Sequence, residues 1–217
     1  YRTKGTSTWL SFADGVSLNT TATVTTVALD ASTSNSEDVN EDINVTSGSL
    51  VVATIAGSIT TADSTGDITV TDNILLDAST SITTEGDILS SAGHITLDAA
   101  AGNINQGSTT SSSIKTTGTD KDIFLNAVGS IVMAQGSSTV VDAGAGNTDG
   151  DIVYHATDSI VTEIITTDTH VSLVARDGSI TDLDSDSLVS ATNLNVQAGT
   201  NIATAANDYD TNVTNLS

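Results

Sequence analysis

Neither cysteine nor proline occurs anywhere in the 217 residues. Without thiols the chain can hold neither a disulfide scaffold nor a thiolate zinc site, and cysteine usage gives no clue to its redox compartment. Without proline, every residue keeps the backbone N–H that a strand ladder requires, so extended pairing can run through the chain unbroken. Aromatic residues make up only 3 %, with one Trp, two Phe and three Tyr. A core therefore has to be assembled from many aliphatic side chains. Basic residues are as scarce: 5 Lys+Arg stand against 27 Asp+Glu, for a formal net charge of −22. So negative a surface repels nucleic acid and anionic lipid, which argues against both as partners. No apolar run is long enough to cross a bilayer, and no charged n-region followed by an apolar h-region opens the chain. The first residue is Tyr1, which reads as a mature product or an excised part of something longer. Acidic composition often marks disorder, but charged residues are only 15 % and the apolar ones are strictly placed.

That placement is a repeat. A six-residue template, any–apolar–any–apolar–any–Ala, starts at residues 26, 49, 73, 94, 122, 151, 170 and 193. Examples are N-I-L-L-D-A from Asn73, H-I-T-L-D-A from His94 and D-I-F-L-N-A from Asp122. The second position holds Val27, Leu50, Ile74, Ile95, Ile123, Ile152, Val171 and Leu194, and the sixth is Ala in every copy except Thr54. In a strand these alternate residues share one face. A lone apolar residue follows each copy, namely Ile59, Ile82, Ile104, Ile131, Ile160, Ile180 and Ile202, with Val39 in the first copy after a polar insertion. A third apolar mark precedes the next copy: Ile43 with Val45, Ile68 with Val70, Ile88, Ile114, Val140, Ile164, Leu188 and Val213.

Three short strands per repeat, separated by Gly, Asp, Asn, Ser and Thr, predict an all-β, three-sided parallel β-helix of about eight coils, each 19–29 residues long. Parallel crossovers prefer one hand, so right-handed coiling is expected. Antiparallel sandwiches do not repeat one strand template, and apolar residues at helical spacing are missing. Two parts follow: an N-terminal flanking segment, degenerate first coil or cap over 1–25, containing Trp9 and Phe12, and a β-helix array over 26–217. Length varies most around 105–113 and 142–150, after the second and third strands, where insertions leave the stack intact.

Few residues in this pattern suggest chemistry. His94 and His170 occupy the first template position and His155 the fifth. Four residues of strand put these positions roughly 13 Å apart, so exposed ladder histidines are expected rather than a metal site. Asp182, Asp184 and Asp186 alternate through the turn after Ile180, and Asp208 with Asp210 fills the corresponding gap one coil on. Five carboxylates at one corner are candidate ligands for Ca²⁺, a hard cation that takes oxygen donors in flexible geometry. Neither the glycine-rich calcium nonapeptide nor an EF-hand loop is present. Asp77 and Asp98 share the fifth position of consecutive copies, the kind of carboxylate pair a retaining glycosidase uses. Catalysis also needs a concave site with tuned groups. The only basic residues in the coils, Lys115, Lys121 and Arg176, are scattered, so no enzymatic activity is expected. Asn19, Asn44, Asn212 and Asn215 match the short N-x-[ST] pattern.

The D-I-x-L-x-A units and the G-S-I-T units at 57–60 and 178–181 resemble the repeats of filamentous-haemagglutinin-like exoproteins and related giant bacterial surface adhesins. The resemblance spans residues 26–217. The Asn-Pro of those proteins' secretion domain has no counterpart in a chain without Pro. The resemblance implies a right-handed β-helical rod exported to the cell surface. The expected function is accordingly a non-enzymatic structural segment of an extracellular adhesin or filament. Such a rod would self-associate coil on coil or join neighbouring modules of a longer chain. The alternative expectation is a glycan-binding or glycan-cleaving β-helix whose partners are host or matrix glycans. Beyond the candidate Ca²⁺, no cofactor is expected.

Overall fold

Alternation sets the architecture. In the template strands from Ser49 onward the second, fourth and sixth residues point inward and the rest point out, as in the burial pattern of Ile74–Ala78, Ile95–Ala99, Ile123–Ala127 and Ile152–Ala156. The computed structural model describes residues 2–3, 18–20, 26–31, 37–40, 42–63, 65–203 and 208–217. Every regular element among them is a strand. The template strands stack in parallel with no slip in register: Ile74 pairs with Ile95, Ile95 with Ile123, Ile123 with Ile152, Ile152 with Val171 and Val171 with Leu194. They form the first side of a parallel β-solenoid.

The second side is a seven-stranded parallel sheet from Glu37–Val39 to Ile180–Asp182, headed from its second strand on by a column of buried isoleucines. The third side runs from Leu18–Thr20 and Ile43–Val45 to Ile164–Thr166. The long strand Leu188–Ala198 passes from the third side into the first, which merges those two ladders into one 17-stranded sheet. The stack completes about seven turns, slightly fewer than the eight template copies. Among the described residues after the last copy, the second side contributes an isolated bridge between Ile180 and Ile202.

The corners differ in kind. From Ser49–Thr54 onward, connections between first and second sides are 3–4 residues, such as 79–81, 128–130 and 176–179; the earlier one, 32–36, has five. The other two corners vary from the single residue Glu163 to the stretch 142–151, and the extra length at 107–112 and 142–151 lies where the sequence places it. Backbone hydrogen bonds continue around the corners, as from Gly129 N to Gly102 O (2.8 Å) and from Thr80 N to Gly57 O (3.1 Å). At Gly93 a Cβ would sit 2.1 Å from the carbonyl carbon of Asp72 in the turn below. Only glycine allows two backbones to approach so closely there.

Residues 1–25 are described only in part. Leu18–Thr20 pairs in parallel with Ile43–Val45, and Arg2–Thr3 lies antiparallel against Thr26–Ala31. Trp9 and Phe12, assigned to the flanking segment, lie outside the described residues.

The third side departs from expectation. Thr139, Ile165 and Val189 are buried, whereas Val140 and Ile164 face outward and Leu188 is 38 % exposed. The alternation is therefore displaced by one residue from the positions that the apolar marks suggest. Pairing decides it: Ile114 is opposite Thr139, and Ile165 is opposite both Thr139 and Val189. Because side chains alternate, a single step exchanges the inner and outer sets.

Thr139 is tolerated inside because it joins a buried polar group. Its hydroxyl donates to Gln106 Oε1 (2.9 Å) and lies 2.5 Å from Tyr154 Oη, while Gln106 Nε2 donates to the carbonyls of Ser112 (3.0 Å) and Ser138 (2.6 Å). Burial pushes the Tyr154 phenol well above its usual range, so it stays a protonated donor. Gln106 belongs to an inner column that the repeat pattern does not reveal: Thr61, Thr84, Gln106, Met133, Thr162 and Asp182, all buried, at the third position of successive second-side strands. Members of the column reach the following turn, as when Gly86 N donates to Thr61 Oγ1 (3.0 Å), Glu163 N to Met133 Sδ (3.3 Å) and Asp210 N to Asp182 Oδ2 (3.1 Å).

Candidate functional site

The outer surface of the first side carries three parallel rows, because positions one, three and five of the templates from Ser49 onward point to solvent. Neighbours within a row are about 4.8 Å apart, and the outer rows lie roughly 13 Å from each other. Position one supplies Asn73, His94, Asp122, Asp151 and His170 in consecutive turns. These residues are hydrogen-bonded along the rod. Asn73 Oδ1 accepts from His94 N (2.9 Å), His94 Nδ1 from Asp122 N (3.0 Å) and Asp122 Oδ1 from Asp151 N (2.8 Å). Asp151 Oδ1 lies 3.1 Å from His170 Nδ1. A His94 Nδ1 that accepts an N–H carries its proton on Nε2, so the 3.3 Å approach of Asp122 Oδ2 to Nδ1 is proximity without a hydrogen bond.

Position five supplies Asp77, Asp98, Asn126 and His155. Asp77 and Asp98 are direct ladder partners, as their spacing suggests. Asn126 Nδ2 donates to Asp98 Oδ1 (2.9 Å), and His155 Nδ1 lies 3.0 Å from Asn126 Oδ1. Between the polar rows runs a mostly apolar one, Leu75, Thr96, Phe124 and Val153, in which Phe124 is 41 % exposed. An aromatic face between two rows of oxygen and nitrogen groups can stack against a flat apolar ring while hydrogen-bonding its edges. The two polar rows are too far apart to act as one carboxylate pair on a single bond.

The three histidines do not converge. His94 and His170 share a row, three turns apart, with Asp122 and Asp151 between them, and His155 stands across the strip. Asp122, Asp151, Asn126 and Phe124 were not singled out from sequence. The signal was available in the first, fifth and third letters of the copies that begin at 122 and 151, once these are aligned as columns.

At the acidic corner, Asp182 is buried and accepts from Asp210 N, while Asp184 Oδ1 accepts from Asp186 N (2.9 Å) and Asp184 Oδ2 from Gln135 Nε2 (2.9 Å). Asp186 and Asp208 are exposed. Buried Glu163 reinforces this corner, its Oε1 accepting from Gly136 N (3.0 Å) and its Oε2 from Ser187 Oγ (2.6 Å). Among the described residues, no three His, Asp or Glu side chains gather into a group that would hold a metal ion. On the third side, Lys115 Nζ lies 3.0 Å from Asp142 Oδ2 and holds that carboxyl below its usual range, first by hydrogen bonding and then by charge.

Comparisons with protein-family models, curated proteins and solved structures gave no match.

Proposed function

We propose that this chain is a non-enzymatic structural segment of an extracellular adhesin or cell-surface filament, a stiff β-helical rod that separates or joins other modules. The observation that carries the reading is the unslipped first-side register from Ile74 to Leu194 over six successive strands. A repeat that contacts only its neighbours, yet keeps every neighbour in phase, gives a body that resists bending and grows by adding turns. About seven turns at ~4.8 Å per turn make a rod on the order of 35 Å long. The sequence resemblance to surface adhesin repeats supports the same reading. Electron microscopy of the chain fused between two globular markers tests it: a fixed marker separation along a straight rod is expected. A broad distribution of separations would overturn it.

The exposed Phe124 favours a second reading, in which the first-side strip binds a glycan chain. Oligosaccharide soaks of crystals are the test, with a sugar ring expected over Phe124 and contacts to Asp98 or Asn126. Asp77→Asn and Asp98→Asn variants would then separate binding from hydrolysis.

A further inference from the structure

Only four of the acidic residues are glutamates, and two of them, Glu85 and Glu163, directly follow a second-side strand. Glu163 is buried within its corner. Glu85 is half-exposed and meets a different partner, the six-residue connection 107–112 of the next turn. Its Oε2 accepts from three consecutive backbone amides, Ser108 N (3.1 Å), Thr109 N (3.3 Å) and Thr110 N (3.4 Å). The hydroxyls of Thr109 (3.4 Å) and Thr110 (3.2 Å) reach the same oxygen, and the Ser108 hydroxyl donates to Oε1. Successive N–H groups converging on one point form an anion-binding concavity.

The loop is shaped for this. Gly107 opens it at φ +64°, and a Cβ there would meet Thr110 O at 2.2 Å, so the chain folds back on itself as only glycine readily permits. Its far end is fastened independently of Glu85: Ser112 N donates to Ser137 Oγ (3.1 Å), Gln106 Nε2 to Ser112 O (3.0 Å), and Ser112 Oγ lies 3.2 Å from Thr84 Oγ1. No ion pair among the described residues involves Glu85. Its charge is met by amide dipoles and hydroxyls alone.

We propose that residues 107–112 form a carboxylate-binding strap over the polar interior around Gln106. Its ligand in this chain is Glu85, and the same cradle takes a free formate or acetate ion once that side chain is removed. Burial opposes ionisation of Glu85, but hydrogen bonds from Ser108, Thr109 and Thr110 outweigh it and hold the carboxyl down to about 2. The strap is therefore closed throughout the neutral range.

Amide hydrogen exchange in the full chain tests the proposal. In Glu85→Ala, the amides of 108–110 are expected to exchange at least tenfold faster, while those of Ile95–Ala99 stay unchanged as the internal reference. Formate or acetate on the order of 10–100 mM, a range suited to weak millimolar binding, is expected to slow 108–110 again, and chloride at equal ionic strength is not. Unchanged exchange in the variant overturns the strap, and acceleration that carboxylates fail to reverse overturns the binding site. Should Glu85→Ala not fold, Glu85→Gln, which keeps one acceptor, carries the same comparison: partial acceleration at 108–110 supports the strap, and wild-type rates refute it.

Discussion

The buried contact between Thr139 and Tyr154 allows a sharp energetic test, because the two partners should not cost the same when removed. The hydroxyls form a relay in which Tyr154 donates to Thr139 and Thr139 to Gln106 Oε1. Tyr154→Phe removes the outer end of the relay and leaves Thr139 still bonded to Gln106, so the loss is that of one net hydrogen bond, about 1 kcal/mol. Thr139→Val removes the middle. Tyr154 Oη then has only Gln106 Oε1 at 3.5 Å and Met133 Sδ at 3.7 Å, and Gln106 Oε1 loses its close donor. Two buried groups are stranded at about 1–3 kcal/mol each, for a total of roughly 2–6 kcal/mol. In the double variant the phenol is gone and only Gln106 is stranded. The combined cost should fall short of the sum by on the order of 1 kcal/mol, as expected of groups in one network. Urea unfolding of a linear array need not be two-state. Hydrogen exchange of the amides in Ile104–Gln106 and Ser138–Val141 is therefore the better assay, since it reports the local opening energy where the relay sits. If Thr139→Val costs no more than Tyr154→Phe, or if the two effects simply add, the relay does not hold these strands together and the reasoning fails.

Three further outcomes are expected. Leu97→Ala, in a fully buried column between Leu76 and Leu125, should lose about 2–5 kcal/mol, and exchange protection should drop most in the turns next to it; uniform loss along the rod would contradict a nearest-neighbour array. For Glu85, whose folded value of about 2 lies below the ordinary glutamate value of 4.5, ionisation stabilises the fold above pH ~4.5, and the effect disappears as pH falls toward 2. The gap in urea midpoint between wild type and Glu85→Gln should therefore be flat above that range and close on acidification. Calorimetric titration with Ca²⁺ decides the role of the acidic corner. The hydrogen bonds already held by Asp182 and Asp184 predict no saturable heat near millimolar, and an isotherm lost in Asp184→Asn would assign the corner to the ion.

Much of the fold is legible in the letters because burial follows a period of two on all three sides. The template strands and the isoleucine column are fixed by apolar residues alternating with polar ones, and only one face of each can be inside. That clarity fails where both faces are apolar. Val140 with Val141, Ile164 with Ile165 and Leu188 with Val189 each offer two equivalent readings, and the choice falls to partners a turn away, with Thr139 inside because Gln106 and Tyr154 satisfy it. The inner column beginning at Thr61 was hidden for the opposite reason. Its threonines, glutamine and aspartate look like outward polar residues, and their partners come from corners some twenty to thirty residues distant. The strip around Phe124 was readable in pieces: Asp77 and Asp98 stand out, whereas Asp122, Asn126 and Asp151 gain meaning only when copies are laid side by side.

The unequal corners have a practical consequence. From Ser49–Thr54 onward the edge between first and second sides stays at 3–4 residues, so it works as a datum line that keeps those turns in step. The other two edges absorb length freely, from a single residue to the ten of 142–151. A foreign peptide spliced at 107–112 or 142–151 would project sideways from the shaft at a known height, like a rung on a mast, without moving the turns above or below. Spliced at 128–130, the same peptide would throw every later turn out of alignment.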